Sequence, residues 1–187
     1  ISSNIYLEDW SNGMKSSPDY IYEFISMISK TSIKRIMLPD TLGVLNPTLT
    51  YTYINSLCNE FPDLHFDFHG HNDYDLSVAN TLEAIKAGCN GIHATINGMG
   101  ERAGNTPLAS IIAANNDLLK GYRLEINEKN LYNVSKLVST FSGFRIPSNK
   151  PVIGENVFTQ TAGIHADGDS KNNLYYNELL PERFGRK

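Results

Sequence analysis

The sequence predicts an α/β fold in which four βα units build a parallel sheet with helices outside it. Short apolar segments alternate with longer amphipathic ones over the first 120 of 187 residues. A new apolar segment begins roughly every 30 residues, which is the length of a βα unit. Four such units make half of a (β/α)8 barrel or a small open sheet. In both architectures the chemistry gathers at the carboxyl ends of the strands.

The predicted strands are short stretches rich in Ile, Phe and Tyr. They cover residues 4–9, 33–40, 64–70 and 91–97. Polar residues stand where these strands end, which is where an α/β enzyme carries its site.

Helix signals separate the strands. Two helices are predicted to begin at a capping residue followed by proline, at residues 17–18 and 46–47. A third helix opens at Asp75 or Ser77 and ends at Gly88, a residue typical of helix C-termini.

The pattern changes in the last third of the chain. A fourth helix is predicted over 108–119 and another over about 128–141, followed by a polar, glycine-rich stretch, 154–187, outside the sheet. The chain opens with Ile1 rather than Met, and a strand pattern already begins at residue 4, so we expect an internal piece of a longer protein. We expect two parts, 1–145 as a barrel half and 146–187 as the beginning of a smaller subdomain.

Composition excludes several classes of protein. The net charge of −4 argues against a nucleic-acid groove, which needs a basic surface. Cys58 and Cys89 stand apart, as in a reduced cytoplasmic protein without disulfides. No apolar run reaches the ~18 residues that a membrane span requires, and we expect no signal peptide at the start of the chain.

His69 and His71 suggest a metal site. Residues two apart on a strand point the same way, so both imidazoles project together from the strand end, with Gly70 leaving space between them. Neutral imidazoles are common metal ligands. The alternative is a pair of polar residues at a loop edge.

The segment 97–105, NGMGERAGN, is the predicted source of a third ligand. It lacks the ending of a phosphate-binding loop, and its glycine spacing alone is a weak signal. The Asn105 amide is the candidate third ligand beside the two imidazoles. A carboxylate is still required to balance the charge of a divalent cation. That carboxylate comes from Glu8, from Asp40 or from outside the chain.

Other polar residues have both a functional and a structural interpretation. Glu8 shares a strand face with Tyr6 and is a candidate acid or base, or else faces solvent. The Thr41 hydroxyl suits a substrate carboxylate, or belongs to a turn. His165 and Tyr175, ten residues apart, are a candidate proton-transfer pair. The two remaining histidines, at 65 and mid-strand at 93, are expected to be structural.

Four motifs resemble those of the acetyl-CoA-dependent 2-oxo-acid condensing enzymes, the 2-isopropylmalate, homocitrate and citramalate synthases. They read LPDT, HGHNDYDLSVAN, NGMGERAGNTPL and GENVFTQTAGIHADG, and they extend over nearly the whole chain. The resemblance implies the second half of a metal-binding (β/α)8 barrel and the beginning of a linker subdomain, in a homodimer whose subunits exchange that subdomain.

The resemblance also implies roles for individual residues. His69 and His71 become ligands of Zn, Mn or Mg, with Asn105 binding directly or through water. The family's remaining ligand is an Asp in an Arg-Asp-Gly motif, which this chain does not contain. Further expected roles are substrate-carboxylate binding by Thr41 and proton transfer by Glu8, His165 and Tyr175, the last two in the neighbouring subunit's barrel.

Tyr6 bears on which 2-oxo acid is used. The family's isopropylmalate synthases carry a small residue two places before the glutamate, whereas the chain reads IYLEDWSNG here. A tyrosine ring fills the space for an isopropyl group and leaves room for a methyl, a difference of about 1–3 kcal/mol. We therefore expect pyruvate and (R)-citramalate, with 2-oxoisovalerate and 2-isopropylmalate as the alternative.

Three rival functions would require other sequence features. A hydroxymethylglutaryl-CoA lyase would carry a cysteine in the glycine loop, and none lies between Gly98 and Asn105. A metal-dependent amidohydrolase would carry further histidines at later strand ends. The third alternative is a non-enzymatic remnant, because half a barrel would expose two sheet edges. The isolated fragment is expected to be inactive.

Overall fold

The computed structural model describes residues 3–172 and 177–186 and has two compact units, Ile1–Ile111 and Ile112–Lys187. The first unit carries a four-stranded parallel sheet in the order β1-β2-β3-β4. Its strands are β1 (Asn4–Tyr6), β2 (Arg35–Asp40), β3 (His65–Gly70) and β4 (Gly91–His93). The predicted α/β class and the four parallel βα units are confirmed.

Seven α-helices are present among the described residues. They are α1 (Trp10–Ser16), α2 (Pro18–Ser29), α3 (Pro47–Glu60), α4 (Ser77–Lys86), α5 (Leu108–Leu118), α6 (Leu131–Ser142) and α7 (Gly163–Asn172). Short 3-10 turns occupy Ile96–Gly98, Glu128–Asn130 and Pro181–Phe184. In the part of the chain that the structure describes, no helix has the length and apolar character needed to cross a bilayer.

The two faces of the sheet differ because neighbouring residues on a strand point to opposite sides. Phe66 and Phe68 of β3 are fully buried together with Ile36 and Leu38 of β2, in the core shared with the helices. Residues 65, 67 and 69 of β3 therefore point to the opposite face. That face holds the polar groups described below.

The first and last strands are shorter than predicted. β1 ends at Tyr6, because Asp9 adopts a left-handed φ of 56° and the unpredicted helix α1 buries Trp10. β4 ends at His93, because the chain turns at Asn97, where φ is 61°. His93 therefore lies at a strand end, and the mid-strand position predicted for it is wrong.

The second unit has its own small core and an internal ion-pair cluster. Four of its buried apolar side chains are Leu131, Val152, Ile153 and Phe184. The guanidinium of Arg183 donates to Glu128 through Nε at 2.5 Å and to Asp117 through Nη1 at 2.7 Å. The predicted helix near 128–141 is confirmed, whereas the domain boundary after residue 145 stays a prediction.

Candidate active site

Three rings meet where strands β1, β3 and β4 end. His69 and His93 are register partners on neighbouring strands, and their Nδ1 atoms lie 3.3 Å apart. The Tyr6 hydroxyl lies 3.2 Å from Nδ1 of His93, and the centroid of the Tyr6 ring is 6.4 Å from the centroid of the His69 ring. Since Tyr6 is 50% exposed, its ring is accessible to a ligand while its hydroxyl is held.

His69 and His71 lie close together, as the spacing predicted. Their ring centroids are 5.2 Å apart. Asn105 reaches the same place through an isolated antiparallel bridge with His71, and its Nδ2 donates to Nε2 of His69 at 3.1 Å. The three residues expected to bind a metal are therefore neighbours, although their role as ligands stays a prediction.

The donor set fits a divalent cation in part. Burial, with nearby His71 and His93, lowers the pKa of His69 to about 4, so this ring is neutral at pH 7 and offers a lone pair. Nδ1 of His71 is buried and has no hydrogen-bond partner among the described residues. The described part of the chain has no group of three His, Cys, Asp or Glu side chains able to hold a metal. A carboxylate has to be added to the two imidazoles and the amide.

Glycines shape the loop that carries Asn105. A side chain on Gly104, where φ is 90°, would collide with the carbonyl of Gly98. A Cβ on Gly100 would collide with Oδ1 of Asn105. The missing side chains therefore let the loop fold back on itself and hold Asn105 beside His69.

Thr41 and Glu8 are joined at the ends of the first two strands. The Thr41 hydroxyl donates to Oε1 of Glu8 at 3.0 Å and accepts from the backbone N–H of Asp9 at 2.9 Å. Asp40 is fully buried and accepts from the backbone N–H groups of residues 44 and 45. Asp40 therefore closes its own loop, and the interpretation of it as a metal carboxylate is wrong.

Asp67 is a buried carboxylate that the sequence analysis did not single out. Its side chain is 0% exposed and contacts Arg35 at 2.6 Å, Nε2 of His65 at 2.7 Å and Nε2 of His93 at 3.3 Å. Burial raises the pKa of Asp67, but hydrogen bonds from Arg35 and His65 outweigh it and lower that pKa below its ordinary value. Alternation along β3 would have revealed this residue, because it shares a face with His69.

The remaining predicted residues belong to the second unit. His165 lies on α7, near its beginning. Tyr175 lies outside the described residues. Their predicted role in proton transfer stays a prediction.

Comparisons with known proteins give the same group of enzymes as the motifs. Three relatives are a homocitrate synthase from Sulfolobus acidocaldarius (39% identity), a 2-isopropylmalate synthase from Sulfurisphaera tokodaii (36%) and a protein from Methanopyrus kandleri provisionally named (R)-citramalate synthase (35%). The matches cover 89%, 91% and 94% of this chain but 35%, 44% and 35% of the relatives. The chain thus spans less than half the length of these relatives.

A solved structure shows the same fold. An HMG-CoA lyase from Acinetobacter baumannii superimposes with a TM-score of 0.65 over 78% of this chain and 49% of the lyase chain. The sequence identity is 22%, so the likeness concerns the fold alone.

The family assignment rests on a match over most of the chain. The sequence profile of the family described as HMGL-like matches residues 9–138, which include the strand ends at His69 and His93 and the loop that carries Asn105. The resemblance to the condensing enzymes is confirmed by the names of the curated relatives. The chain belongs to the HMGL-like family.

Proposed function

We propose that the complete enzyme containing this chain condenses acetyl-CoA with a 2-oxo acid at a divalent metal site. The observation that carries the proposal is the meeting of His69, His71 and Asn105 at the carboxyl ends of parallel strands. The names of the relatives support the reaction class. Because their chains are more than twice as long, the activity is proposed for the complete enzyme.

Different residues of the chain bind the metal and the substrate in this proposal. His69, His71 and Asn105 hold Zn, Mn or Mg together with an Asp of the Arg-Asp motif that this chain does not contain. A cation held there would supply Lewis-acid polarisation of the keto group of the 2-oxo acid. Thr41 binds the acid's carboxylate, since its oxygen is fixed by the N–H of residue 9 and its hydrogen can turn from Glu8 to the substrate.

Proton transfer falls to Glu8, His165 and Tyr175. A base removes a proton from the methyl group of acetyl-CoA, and the resulting carbanion forms a carbon–carbon bond with the keto carbon. The former keto oxygen takes up a proton. Water then cleaves the thioester, which releases CoA and leaves a hydroxy dicarboxylic acid. His165 and Tyr175 act in the partner subunit of a homodimer, as the family resemblance implies.

Pyruvate is the proposed 2-oxo acid, with (R)-citramalate as the product. The support is Tyr6, whose ring lies next to His69 and is anchored through its hydroxyl to His93. A ring held in this way limits the space for the side chain of the 2-oxo acid. The similar identities to differently named synthases do not favour one substrate. Both cysteines are free, which suits the proposed cytoplasmic location.

The test is CoA release by the complete enzyme. Acetyl-CoA is combined with pyruvate, 2-oxoisovalerate or 2-oxoglutarate, and free thiol is measured after treatment with EDTA and after addition of Zn²⁺, Mn²⁺ or Mg²⁺. We expect metal-dependent release that is fastest with pyruvate. A preference for 2-oxoisovalerate would support a 2-isopropylmalate synthase. Release with none of the acids, together with cleavage of hydroxymethylglutaryl-CoA, would support a lyase.

A further inference from the structure

A continuous line of hydrogen-bonding atoms connects the buried Asp67 to the predicted metal ligands. Oδ2 of Asp67 lies 3.3 Å from Nε2 of His93. Nδ1 of His93 lies 3.3 Å from Nδ1 of His69. Nε2 of His69 lies 3.1 Å from Nδ2 of Asn105. Each imidazole thus uses both of its nitrogens.

The position of each proton follows from the Asp67 end. An ionised carboxylate only accepts hydrogen bonds, so Nε2 of His93 must carry a hydrogen. When His93 is in its neutral form, its Nδ1 then has a lone pair and accepts. Its neighbour, Nδ1 of His69, must therefore donate, which leaves Nε2 of His69 without a hydrogen.

The Asn105 end gives the same answer independently. An amide nitrogen only donates, so Nε2 of His69 must accept. The lone pair on Nε2 is also the one that a cation takes from a neutral imidazole. Both ends of the line therefore require one tautomer of each histidine.

We propose that Asp67 and His93 are positioning residues that fix the tautomer and orientation of His69, so that its Nε2 lone pair faces the metal site. The proposal deepens the proposed function and rests on it for the presence of a metal. Metal-binding histidines commonly donate their second ring nitrogen to an acceptor, often a carboxylate. Here the acceptor is another histidine, and the carboxylate lies one step further away.

The surroundings of Asp67 support a role as a fixed acceptor. Arg35 donates to Oδ2, the oxygen that also lies near His93, whereas His65 lies 2.7 Å from Oδ1, and both hydrogen bonds favour the ionised form of the carboxylate. Gly91, the register partner of Asp67 on β4, leaves the space that the carboxylate occupies, because a Cβ there would collide with Oδ1. The carboxylate is thus enclosed, ionised and aimed at His93.

The same lone pair also reaches Tyr6. The tyrosine hydroxyl lies 3.2 Å from Nδ1 of His93, so the hydroxyl and the Nδ1–H of His69 share one acceptor. His93 therefore positions the ring that limits the substrate as well as the ring that binds the metal.

Neutron diffraction of the complete, deuterium-exchanged enzyme tests the proton positions without any substitution. We expect deuterium on Nε2 of His93 and on Nδ1 of His69, and none on Nε2 of His69. Deuterium on Nδ1 of His93, or on Nε2 of His69, would overturn the proposal.

Metal affinity tests the consequence. Removing an outer partner of a metal ligand commonly weakens binding about 10–100-fold. We expect losses of that size, measured by chelator competition with Mn²⁺ and Zn²⁺, for His93→Phe and Asp67→Asn. The matched control is His65→Phe, which removes a histidine from the same carboxylate but not from the line to the metal. Equal losses in His65→Phe and His93→Phe would mean that the network is merely structural.

These measurements separate the inference from the proposed function. The neutron experiment requires neither metal nor substrate. An enzyme with the expected tautomers that binds no metal would contradict the proposed metal site, and with it the positioning role. An enzyme with the opposite tautomers that still condenses acetyl-CoA would overturn this inference and leave the proposed function intact.

Discussion

Arg102 and Asp73 form a bidentate ion pair, with Nε to Oδ1 at 2.7 Å and Nη2 to Oδ2 at 3.0 Å. Nη2 also donates to the carbonyl of Thr41 at 2.6 Å. The hydrogen bond from Arg102 lowers the pKa of Asp73 below its ordinary value. One guanidinium therefore fastens the loop of Asn105 to the loops that follow β2 and β3.

The first prediction concerns this fastening. In Arg102→Lys the ammonium cannot reproduce the planar fork, so the loop loosens and Asn105 loses its position. We expect kcat/KM for condensation to fall about 10–100-fold, because small misplacements in a site have effects of that order. Steady-state kinetics of the complete enzyme provides the measurement. Arg145→Lys, at an exposed position, is the control, and equal kinetics for both variants would contradict the prediction.

The second prediction concerns Gly100. Its φ lies outside the left-handed region, so the effect of Gly100→Ala is steric: the new methyl group collides with the Asn105 amide. Overpacking of this kind typically costs about 1–3 kcal/mol of the free energy of unfolding. We also expect weaker metal binding, measured by calorimetry. Ala103→Ser adds one atom at an exposed position of the same loop and should retain the wild-type affinity.

Tyr6 provides the third prediction. Tyr6→Ser removes the ring and should raise kcat/KM for 2-oxoisovalerate relative to pyruvate by about 10–200-fold, the usual range for one to a few methylenes. Tyr6→Phe keeps the ring volume and loses only the hydroxyl, so the preference for pyruvate should persist. A wild-type enzyme that already prefers the branched acid would refute the steric argument.

The fourth prediction is a pH dependence in the second unit. The hydrogen bond from Arg183 lowers the pKa of Glu128 below its ordinary value of 4.5. A lowered pKa means that this stabilisation is present above about pH 4.5 and is lost as the pH falls through the folded-state pKa. We expect Arg183→Gln to destabilise by about 1–3 kcal/mol at pH 7 and by less near pH 3.

Urea unfolding followed by circular dichroism between pH 3 and pH 7 measures that dependence. Lys136→Gln is the control, because it removes an ion pair between two exposed side chains, Lys136 and Glu155, whose charged atoms lie 3.4 Å apart. Exposed pairs contribute about 0–1 kcal/mol, so this variant should follow the wild type. The prediction fails if Arg183→Gln loses the same stability at every pH.

The sequence predicted what depends on local spacing. The two-residue period of a strand placed His69 beside His71, and the glycine loop placed Asn105 near them. The helix N-cap predicted at Asn46 is also confirmed, because the Asn46 side chain accepts from the N–H of residue 49.

The rest depends on register and on tertiary packing, which one segment does not carry. His93 belongs to the site because β4 pairs it with His69 and ends there. Helix α1 forms around a glycine because Trp10 and Met14 are buried, so tertiary packing outweighs the low helix propensity of that glycine. Asp40 looked available at a strand end, but its own loop uses its carboxylate.

The absence of a side chain at Gly91 restricts which substitutions this chain can accept. Any larger residue there takes the volume of the Asp67 carboxylate, so an exchange at one position calls for a compensating exchange at the other. Replacing Asp67 by a smaller residue makes room for a side chain at position 91. The same replacement removes the carboxylate that holds His93 and, through it, His69. Libraries aimed at new substrates should therefore vary the two codons jointly.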